Sequence, residues 1–236
     1  MGLLGEAVLA MWWDIPPEGA SEFEDWHSHE HMPERLRIPG FLRGTRWADL
    51  SGRPSYFQRY EVQSFDTLSS APYVERLNNP TPWSTKMFVH YFRNMTRSFC
   101  HIVGSFGSGL GHTMLTIRFS AEGGQERVLR AWLTQEVLPA LAERSGMVGA
   151  HLLETEKHVR QPQTKEKELR RGDATADWIL MATGYDSQVV TSLLTNELHE
   201  KTLVRHGASP SQAANTYHLA FALTHQDLEG PDGASH

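Results

Sequence analysis

The sequence is short of cysteine and of long apolar runs, and each shortage excludes a class of protein. Its single cysteine, Cys100, excludes an internal disulfide and favours a reducing compartment. Its longest apolar runs fall far short of the ~20 residues that a membrane-spanning helix needs. The N-terminal stretch "MGLLGEAVLAMWWD" has no basic region, and its apolar residues alternate as in a strand, unlike a signal peptide. We therefore expect a soluble cytoplasmic protein with no membrane partner.

The chain also lacks a surplus of basic residues. Among its 236 residues, 22 are Lys or Arg and 28 are Asp or Glu, so the net charge is −6 and no attraction to nucleic acid is expected. No G-x-S-x-G motif signals a serine nucleophile. The glycine-rich "GSFGSGLG" (Gly104–Gly111) does not open a helix, and we interpret it as a linker and not as a phosphate loop. The expected partner is a small molecule.

What the chain does contain is an internal repeat. A shift of 106 positions aligns "DWHSHEHMPERLRIPGF" (Asp25–Phe41) with "AWLTQEVLPALAERSGM" (Ala131–Met147). The same shift aligns 7–14 with 113–120, where apolar residues recur with the period of two that is typical of strands. The identical pairs are Trp26/Trp132, Glu30/Glu136, Pro33/Pro139 and Gly40/Gly146. We therefore expect two parts with the same fold.

Each part is predicted to contain strand, helix, strand, strand, helix and strand. Asp66 and Asp186 follow a strand and suit the N-cap of a helix. Gly40 and Gly146 follow a helix, where a left-handed residue is easiest for glycine. The order βαββαβ is that of the ferredoxin-like unit, an antiparallel sheet with helices on one face. The predicted fold class is therefore α+β.

The first ferredoxin-like unit is predicted over residues 1–107 and the second over 108–236, each covering the bare sheet face of the other. The charged segment 157–176 has no apolar periodicity and is interpreted as a loop of unassigned role. The segment 78–96 has no counterpart in the repeat, and a short helix or a lid is expected there. In the first part the predicted strands are 6–14, 41–48, 55–64 and 97–106, and the predicted helices are 20–37 and 66–77. In the second part the predicted strands are 112–120, 147–156, 177–184 and 214–224, and the predicted helices are 124–144 and 186–200.

The helix predicted over 20–37 is rich in histidine, and the repeat separates the roles of its faces. One face carries a tryptophan, a glutamate and a proline that both parts keep, which indicates a structural role. On the neighbouring face the second part replaces polar residues of the first with Leu, Val, Ala and Leu. The polar residues at these four positions are His27, His31, Glu34 and Arg35.

The apolar face of the second part is expected to pack on its sheet, so His27, His31 and Glu34 are expected to point inward. Buried polar groups cost about 1–3 kcal/mol each when they lack partners. A polar cavity is therefore predicted beside this helix in the first part. His29 lies off both faces and is expected in solvent.

The stretch "WHSHEHMPERLRIPGF" resembles the EthD-like family of the dimeric α+β barrel superfamily. The family pattern is similar to W-Y-x-x-E-H-[hydrophobic]-P-E-R-L followed by I-P-G-F, and His27 stands where that pattern has tyrosine. The matching residues are Trp26, Glu30, His31, Pro33, Glu34, Arg35 and Ile38–Phe41. The resemblance implies two ferredoxin-like βαββαβ units in a dimeric α+β barrel-type arrangement within one chain. The superfamily includes cofactor-free isomerases, decarboxylases, cyclases and monooxygenases as well as haem proteins, so the reaction must be argued from the site.

Our leading hypothesis is a cofactor-independent isomerase, cyclase, decarboxylase or other lyase that acts on a small aromatic, lactone-like or conjugated molecule. His31 is the expected general acid and base, because an imidazole exchanges protons near neutral pH. Glu34 or Glu30 would orient it, and Arg35 would hold a substrate carboxylate. The candidate catalytic residues are His31, His27, Glu34 and Arg35. The candidate substrate-binding residues are Trp13, Trp26, Tyr60 and His90.

Two alternatives stay open. His27 and His31 have the i, i+4 spacing with which two imidazoles bind one metal ion, and Glu34 or His101 would be the third ligand; haem is the other prosthetic group to consider. The second alternative is a protein that binds a small ligand without turnover. His101 and its counterpart His218 are expected to be structural, and a homodimer is compatible with the sequence.

Overall fold

The structure, a computed structural model, describes residues 2–53, 55–157, 163–170 and 172–229. Eight antiparallel strands close into a barrel in the order β1-β3-β2-β8-β5-β7-β6-β4. The strands are β1 (Ala7–Asp14), β2 (Phe41–Asp49), β3 (Ser55–Val62), β4 (Arg93–Gly107), β5 (Thr113–Phe119), β6 (Met147–Thr155), β7 (Trp178–Gly184) and β8 (Ala213–Thr224). The mixed α and β composition and the barrel agree with the predicted fold class.

Short helices cover the outside of the barrel. In the part of the chain that the structure describes, no helix is long and apolar enough to cross a membrane. The α-helices are α1 (Ala20–Trp26), α2 (Met32–Leu36), α3 (Ala71–Asn78), α4 (Pro82–His90), α5 (Glu126–Trp132), α6 (Leu138–Glu143), α7 (Lys165–Leu169), α8 (Ser187–Ser192) and α9 (Glu200–Arg205).

The barrel contains two runs of strands with the same order, β4-β1-β3-β2 and β8-β5-β7-β6. Pairing of β2 with β8 and of β4 with β6 joins the runs edge to edge. β4 reaches Gly107 and pairs Phe106 with Ala150, so the predicted linker over 104–111 is too long and residues 108–112 connect β4 to β5. The division into ferredoxin-like units at residue 107 stays a prediction.

The two faces of β1 show how the core is divided. Val8, Ala10 and Trp12 belong to a cluster inside the barrel, to which strands of both runs contribute. The alternate residues, with Leu9 and Trp13 among them, belong to a second cluster between the barrel and the helices of the first run. A third cluster lies between the barrel and the helices of the second run. β1 is therefore buried on both faces, and the outer layer of the first run contains the site.

The histidine-rich helix is interrupted by a π-helical turn. Residues His27–His31 form this turn between α1 and α2, and the N–H of Met32 donates to the carbonyl of His27. Pro33 has no N–H, and its ring clashes with the carbonyl four residues earlier, which widens the preceding turn. The second run has the same feature, Leu133–Val137, 106 residues later and before its own proline. A proline at this position therefore sets the shape of both helices.

The π-helical turn explains one wrong expectation. It inserts one residue into the helix, which rotates all later residues by about 100° relative to a continuous α-helix. As a result Arg35 is buried beneath His31, whereas Glu34 lies half-buried on the outer side. A regular period of 3.6 residues had placed Glu34 inward.

The predicted helix ends are partly confirmed. Gly40 and Gly146 have φ of +90° and +91°, as expected after a helix. Asp186 caps α8 by accepting from two backbone N–H groups at 2.9 and 3.2 Å. Asp66 does not act as an N-cap: it lies inside a 3₁₀ helix, Phe65–Ser69, and α3 begins only at Ala71, with a proline in its first turn.

Two unassigned segments contain helices. The segment 78–96 includes α4, which confirms the short helix expected there. The charged segment 157–176 includes α7, which was interpreted as loop. Residues 158–162 and 171 of that segment lie outside the described residues. α7 packs against α3 and α4, two helices of the first run that are distant from it in the sequence.

Candidate functional site

A cavity of about 20 Å³ lies between the outer face of β1, β3 and β4 and the covering helices. That volume admits roughly one water molecule. Its apolar walls include Trp13 from β1 and Phe88 from α4. Its polar lining comes from five elements, namely His27, His31 and Arg35 from the histidine-rich helix, Tyr60 from β3, Tyr73 from α3, Arg97 from β4, and Glu166 and Arg170 from α7 and its C-terminal end.

The two inward histidines are neutral in this environment. His27 and His31 are buried, and their ring centroids lie 5.7 Å apart. Burial lowers the pKa of His31 well below its usual value, and the guanidinium of Arg35 lowers this pKa further. Burial also lowers the pKa of His27, and so does Arg46, whose Nη1 lies 3.5 Å from Nδ1 of His27. At neutral pH the resting His31 is therefore unprotonated, so it must accept a proton before it can donate one.

The orientation of His31 is set by Trp26. The two rings pack at a centroid distance of 4.4 Å. The indole N–H of Trp26 donates to Oε1 of Glu30 at 3.1 Å and to Oγ of Ser84 at 3.2 Å. The same Glu30 oxygen accepts from Thr81 Oγ1 at 2.6 Å. Glu30 therefore holds the indole ring of Trp26 against which His31 packs. The bond from this indole to Ser84 also connects the histidine-rich helix to α4.

A chain of buried ion pairs closes one side of the cavity. Nη2 of Arg35 donates to Oε1 of Glu166 in a short contact. Oε2 of Glu166 accepts from Nη1 of Arg170 at 3.3 Å, and Arg170 donates with two nitrogens to Asp173 at 3.0 and 2.9 Å. All four side chains are at most 4% exposed. Burial by itself lowers the pKa of Arg35, but Glu166, Tyr73 and Tyr60 together outweigh it and the net shift is upward, so Arg35 stays charged.

Several polar atoms of the lining have no partner. Within the described ranges, four buried atoms of lining residues make no hydrogen bond: Nε1 of Trp13, Nδ1 of His31, Nη1 of Arg35 and the hydroxyl of Tyr60. Three of them are N–H or O–H donors, and an unsatisfied buried donor costs about 1–3 kcal/mol. The arrangement therefore favours a ligand with hydrogen-bond acceptors.

The structure brings together five of the eight predicted site residues. His27, His31, Arg35, Trp13 and Tyr60 all line the cavity. Their roles in binding or catalysis stay predictions.

The other three predicted site residues do not line it. Glu34 lies on the outer side of the helix and pairs with Arg76 at 3.4 Å. Trp26 is buried behind His31. His90 is exposed at the end of α4, because the side of this helix that faces the cavity carries Phe88.

Sequence reasoning missed four polar residues of the lining: Tyr73, Arg97, Glu166 and Arg170. Glu166 is separated from Arg35 by 131 positions, so no local pattern connects them. The available signal was the i, i+4 spacing of Glu166 and Arg170 in the segment interpreted as loop, which is typical of a short helix.

The residues present do not fit a divalent metal ion. In the described ranges no group of three or more His, Cys, Asp and Glu side chains is placed to hold one. The predicted third ligand Glu34 lies outside the cavity, and His101 is exposed on β4 beside Phe65, at a centroid distance of 4.4 Å. The arginines around His31 would repel a cation. The cofactor-free character of the site and the homodimer stay predictions.

Comparisons with known proteins bear on the fold. No protein-family model and no curated protein matches the chain. An anthrone oxidase-like protein superposes with a TM-score of 0.68 at 12% identity over 94% of each chain. A "putative monooxygenase" of Fusobacterium nucleatum gives 0.60 at 5% identity over 94% of this chain and 96% of its own. One of Lactobacillus acidophilus gives 0.58 at 10% identity over 93% and 97%. The chain shares the fold of these proteins; the resemblance to the EthD-like family and the dimeric α+β barrel superfamily stays a prediction.

Proposed function

We propose that this protein is a small-molecule enzyme in which His31 transfers protons without a cofactor, as in an isomerase, cyclase, decarboxylase or other lyase. The observation that carries the proposal is the buried, unpartnered Nδ1 of His31 in a cavity shared with the unpartnered Nη1 of Arg35. A neutral imidazole is a base, and a guanidinium stabilises the negative charge that forms when a base removes a proton.

The proton transfer follows from these atoms. His31 takes a proton from a C–H or O–H group of a conjugated substrate, and the electron pair left behind moves onto a conjugated oxygen. Arg35 and the Tyr60 hydroxyl donate hydrogen bonds to that oxygen. The imidazolium of His31 then returns the proton to a different atom, which completes an isomerisation. Where the electron pair instead expels a leaving group, the outcome is a lyase reaction.

The substrate class follows from the walls of the cavity. Trp13, Phe88 and Phe92 lie around the polar groups, and aromatic walls suit a flat conjugated molecule. The names of the structural neighbours, which include an anthrone oxidase-like protein and monooxygenases, support a small organic substrate. They do not identify the reaction, because identities of 12% or less reflect only a shared fold.

The test is exchange of substrate protons with solvent. A panel of aromatic ketones, lactones and conjugated acids is incubated with the protein in D₂O, and deuterium uptake is followed by NMR, with oxygen consumption recorded in parallel. Replacement of a general base typically costs about 10²–10⁴-fold in rate, so His31→Gln is expected to lose exchange by at least about 100-fold. His29→Gln, an exposed histidine on the same helix, is the matched control and is expected to keep the wild-type rate.

Two results would contradict the proposal. Equal exchange rates in wild type and His31→Gln, with native circular dichroism in both, would remove His31 as the base. Tight binding of a panel member with no exchange by wild type would favour the alternative of a ligand-binding protein without turnover.

A further inference from the structure

In this structure one side of the cavity is closed by the carboxylate of Glu166, which lies in α7, between β6 and β7 of the second run. Glu166 is one of five residues in α7, and its side chain is 3% exposed. It binds Arg35 with one oxygen and Arg170 with the other. Two-point binding of a carboxylate between guanidinium groups is a common way for arginine to bind an acid. Glu166 therefore makes the contact that an anionic ligand would make.

The site from which Glu166 would be displaced is rich in positive charge. Three guanidinium groups lie at the cavity or in its wall, those of Arg35, Arg97 and Arg170, against the carboxylates of Glu166 and Asp173. Arg97 donates to the hydroxyl of Tyr73 at 2.5 Å, a neutral partner. The histidines add no charge at neutral pH because their pKa values are lowered. A ligand that displaces Glu166 takes the place of a single carboxylate beside Arg35, so a ligand with one negative charge is favoured over a neutral or doubly charged one.

The volume and the unpartnered donors show that such a ligand requires movement of α7. At about 20 Å³ the closed cavity holds roughly one water molecule, far less than an aromatic ring. The strands and the histidine-rich helix are held by the barrel, whereas α7 is a single turn and a half attached through its ion pairs and its contacts with α3 and α4. Its departure opens the cavity and frees Arg35, which already has one unpartnered nitrogen.

We propose that Glu166 is an internal substitute for the anionic group of the ligand, and that the site takes a small aromatic monocarboxylate which displaces α7 from Arg35. The proposal rests on the proposed function in taking this cavity as the ligand site, but it requires no proton transfer. Because only molecules in which Glu166 has left Arg35 can bind the ligand, the apparent affinity is the intrinsic affinity multiplied by the fraction of open molecules. Glu166 therefore determines both access to the site and its preference for an acid.

The experiment compares benzoate with its neutral isostere benzamide by titration calorimetry. Glu166→Gln keeps the size of the side chain but removes its charge, so benzoate is expected to bind at least about tenfold more tightly than in wild type. Benzamide is expected to gain clearly less than benzoate, because it also benefits from a more open site but forms no ion pair with Arg35. Glu168→Gln on the same helix is the matched control, since Glu168 is 61% exposed, and it is expected to bind both compounds as wild type does.

Three calorimetric outcomes overturn the proposal. Unchanged or weaker benzoate binding in Glu166→Gln shows that Glu166 does not compete with the ligand. An equal gain for benzamide shows that the variant only loosens α7. The same gain in Glu168→Gln shows that the charge of the segment, and not the contact with Arg35, is responsible.

Two further measurements keep the test independent of stability and of catalysis. In wild type, benzoate is expected to speed hydrogen exchange of the amides of Glu168 and Arg170, which donate within α7 at 3.1 Å each; unchanged or slower exchange overturns displacement. His31→Gln is expected to retain benzoate binding. A protein that binds benzoate through Arg35 but exchanges no substrate protons refutes the proposed function alone, and the reverse result refutes only the role of Glu166.

Discussion

Acidification from about pH 7 to pH 5 is expected to remove a large part of the free energy of unfolding, because three histidines are buried in the neutral form. Burial lowers the pKa of His27 and His31 well below the usual value, and it lowers that of His151 to about 3. The unfolded chain has ordinary histidines with a pKa of about 6.5. As the pH falls below 6.5 the unfolded state takes up protons that the folded state does not, so stability falls.

The size of the effect follows from this difference. At pH 5 His151, whose folded pKa is about 3, favours the unfolded state by about 2 kcal/mol, and His27 and His31 add to this in the same direction. Domains typically have only 5–15 kcal/mol of stability, so acid unfolding is expected to begin near pH 5. Above about pH 7.5 the three groups are almost entirely neutral in both states, and they contribute almost no pH dependence.

The assay is urea unfolding followed by tryptophan fluorescence between about pH 5 and pH 7. The slope near pH 5.5 is expected to exceed one proton, about 1.4 kcal/mol per pH unit, because His27 and His31 add to the contribution of His151. His151→Gln is expected to lower that slope by one proton, about 1.4 kcal/mol per pH unit, whatever its effect on absolute stability. His29→Gln, at an exposed position, keeps the wild-type slope. A wild-type slope of less than one proton would refute the argument that these imidazoles are buried and neutral.

Two predictions concern local structure and are checked by the same urea measurement. Trp26→Phe removes the indole N–H from two acceptors and is expected to cost about 1–3 kcal/mol; Trp83→Phe, at a half-buried indole, should cost less, and equal losses would contradict the role given to Trp26. Gly40→Ala is expected to cost more than about 1 kcal/mol, because its Cβ would lie 2.7 Å from Oγ1 of Thr67. Gly52→Ala also has positive φ but meets no described atom within 4 Å, so a similar loss there would show that backbone strain alone acts.

Features that depend on neighbouring residues could be predicted from the sequence. The alternation in β1 located a strand whose bounds differ from the prediction by one residue, because burial of alternate side chains follows directly from the geometry of a strand. Gly40 was placed correctly since a left-handed residue after a helix is a local requirement. The inward position of His31 was predicted by comparing the two parts of the chain.

Features that depend on distant residues could not be predicted. One local feature was also missed: Glu34 lies on the outer side against expectation, because Pro33 produces a π-helical turn that a fixed helical period does not include. The contact of Arg35 with Glu166 joins positions that are far apart, in a segment whose charge pattern is typical of a solvated loop. Only the assembled barrel brings α7 against the first run of strands.

Closure of the barrel has a consequence for how the chain folds. β2 begins at Phe41 and pairs with β8, which begins at Ala213, so one seam joins segments about 170 positions apart. Such high contact order slows folding, because the entropy of loop closure must be overcome before the pairing is formed. During synthesis β2 leaves the ribosome long before β8, and its unpaired edge is a surface on which another nascent chain can add a strand. The last strand to be made thus completes the seam and protects the first part of the chain from aggregation.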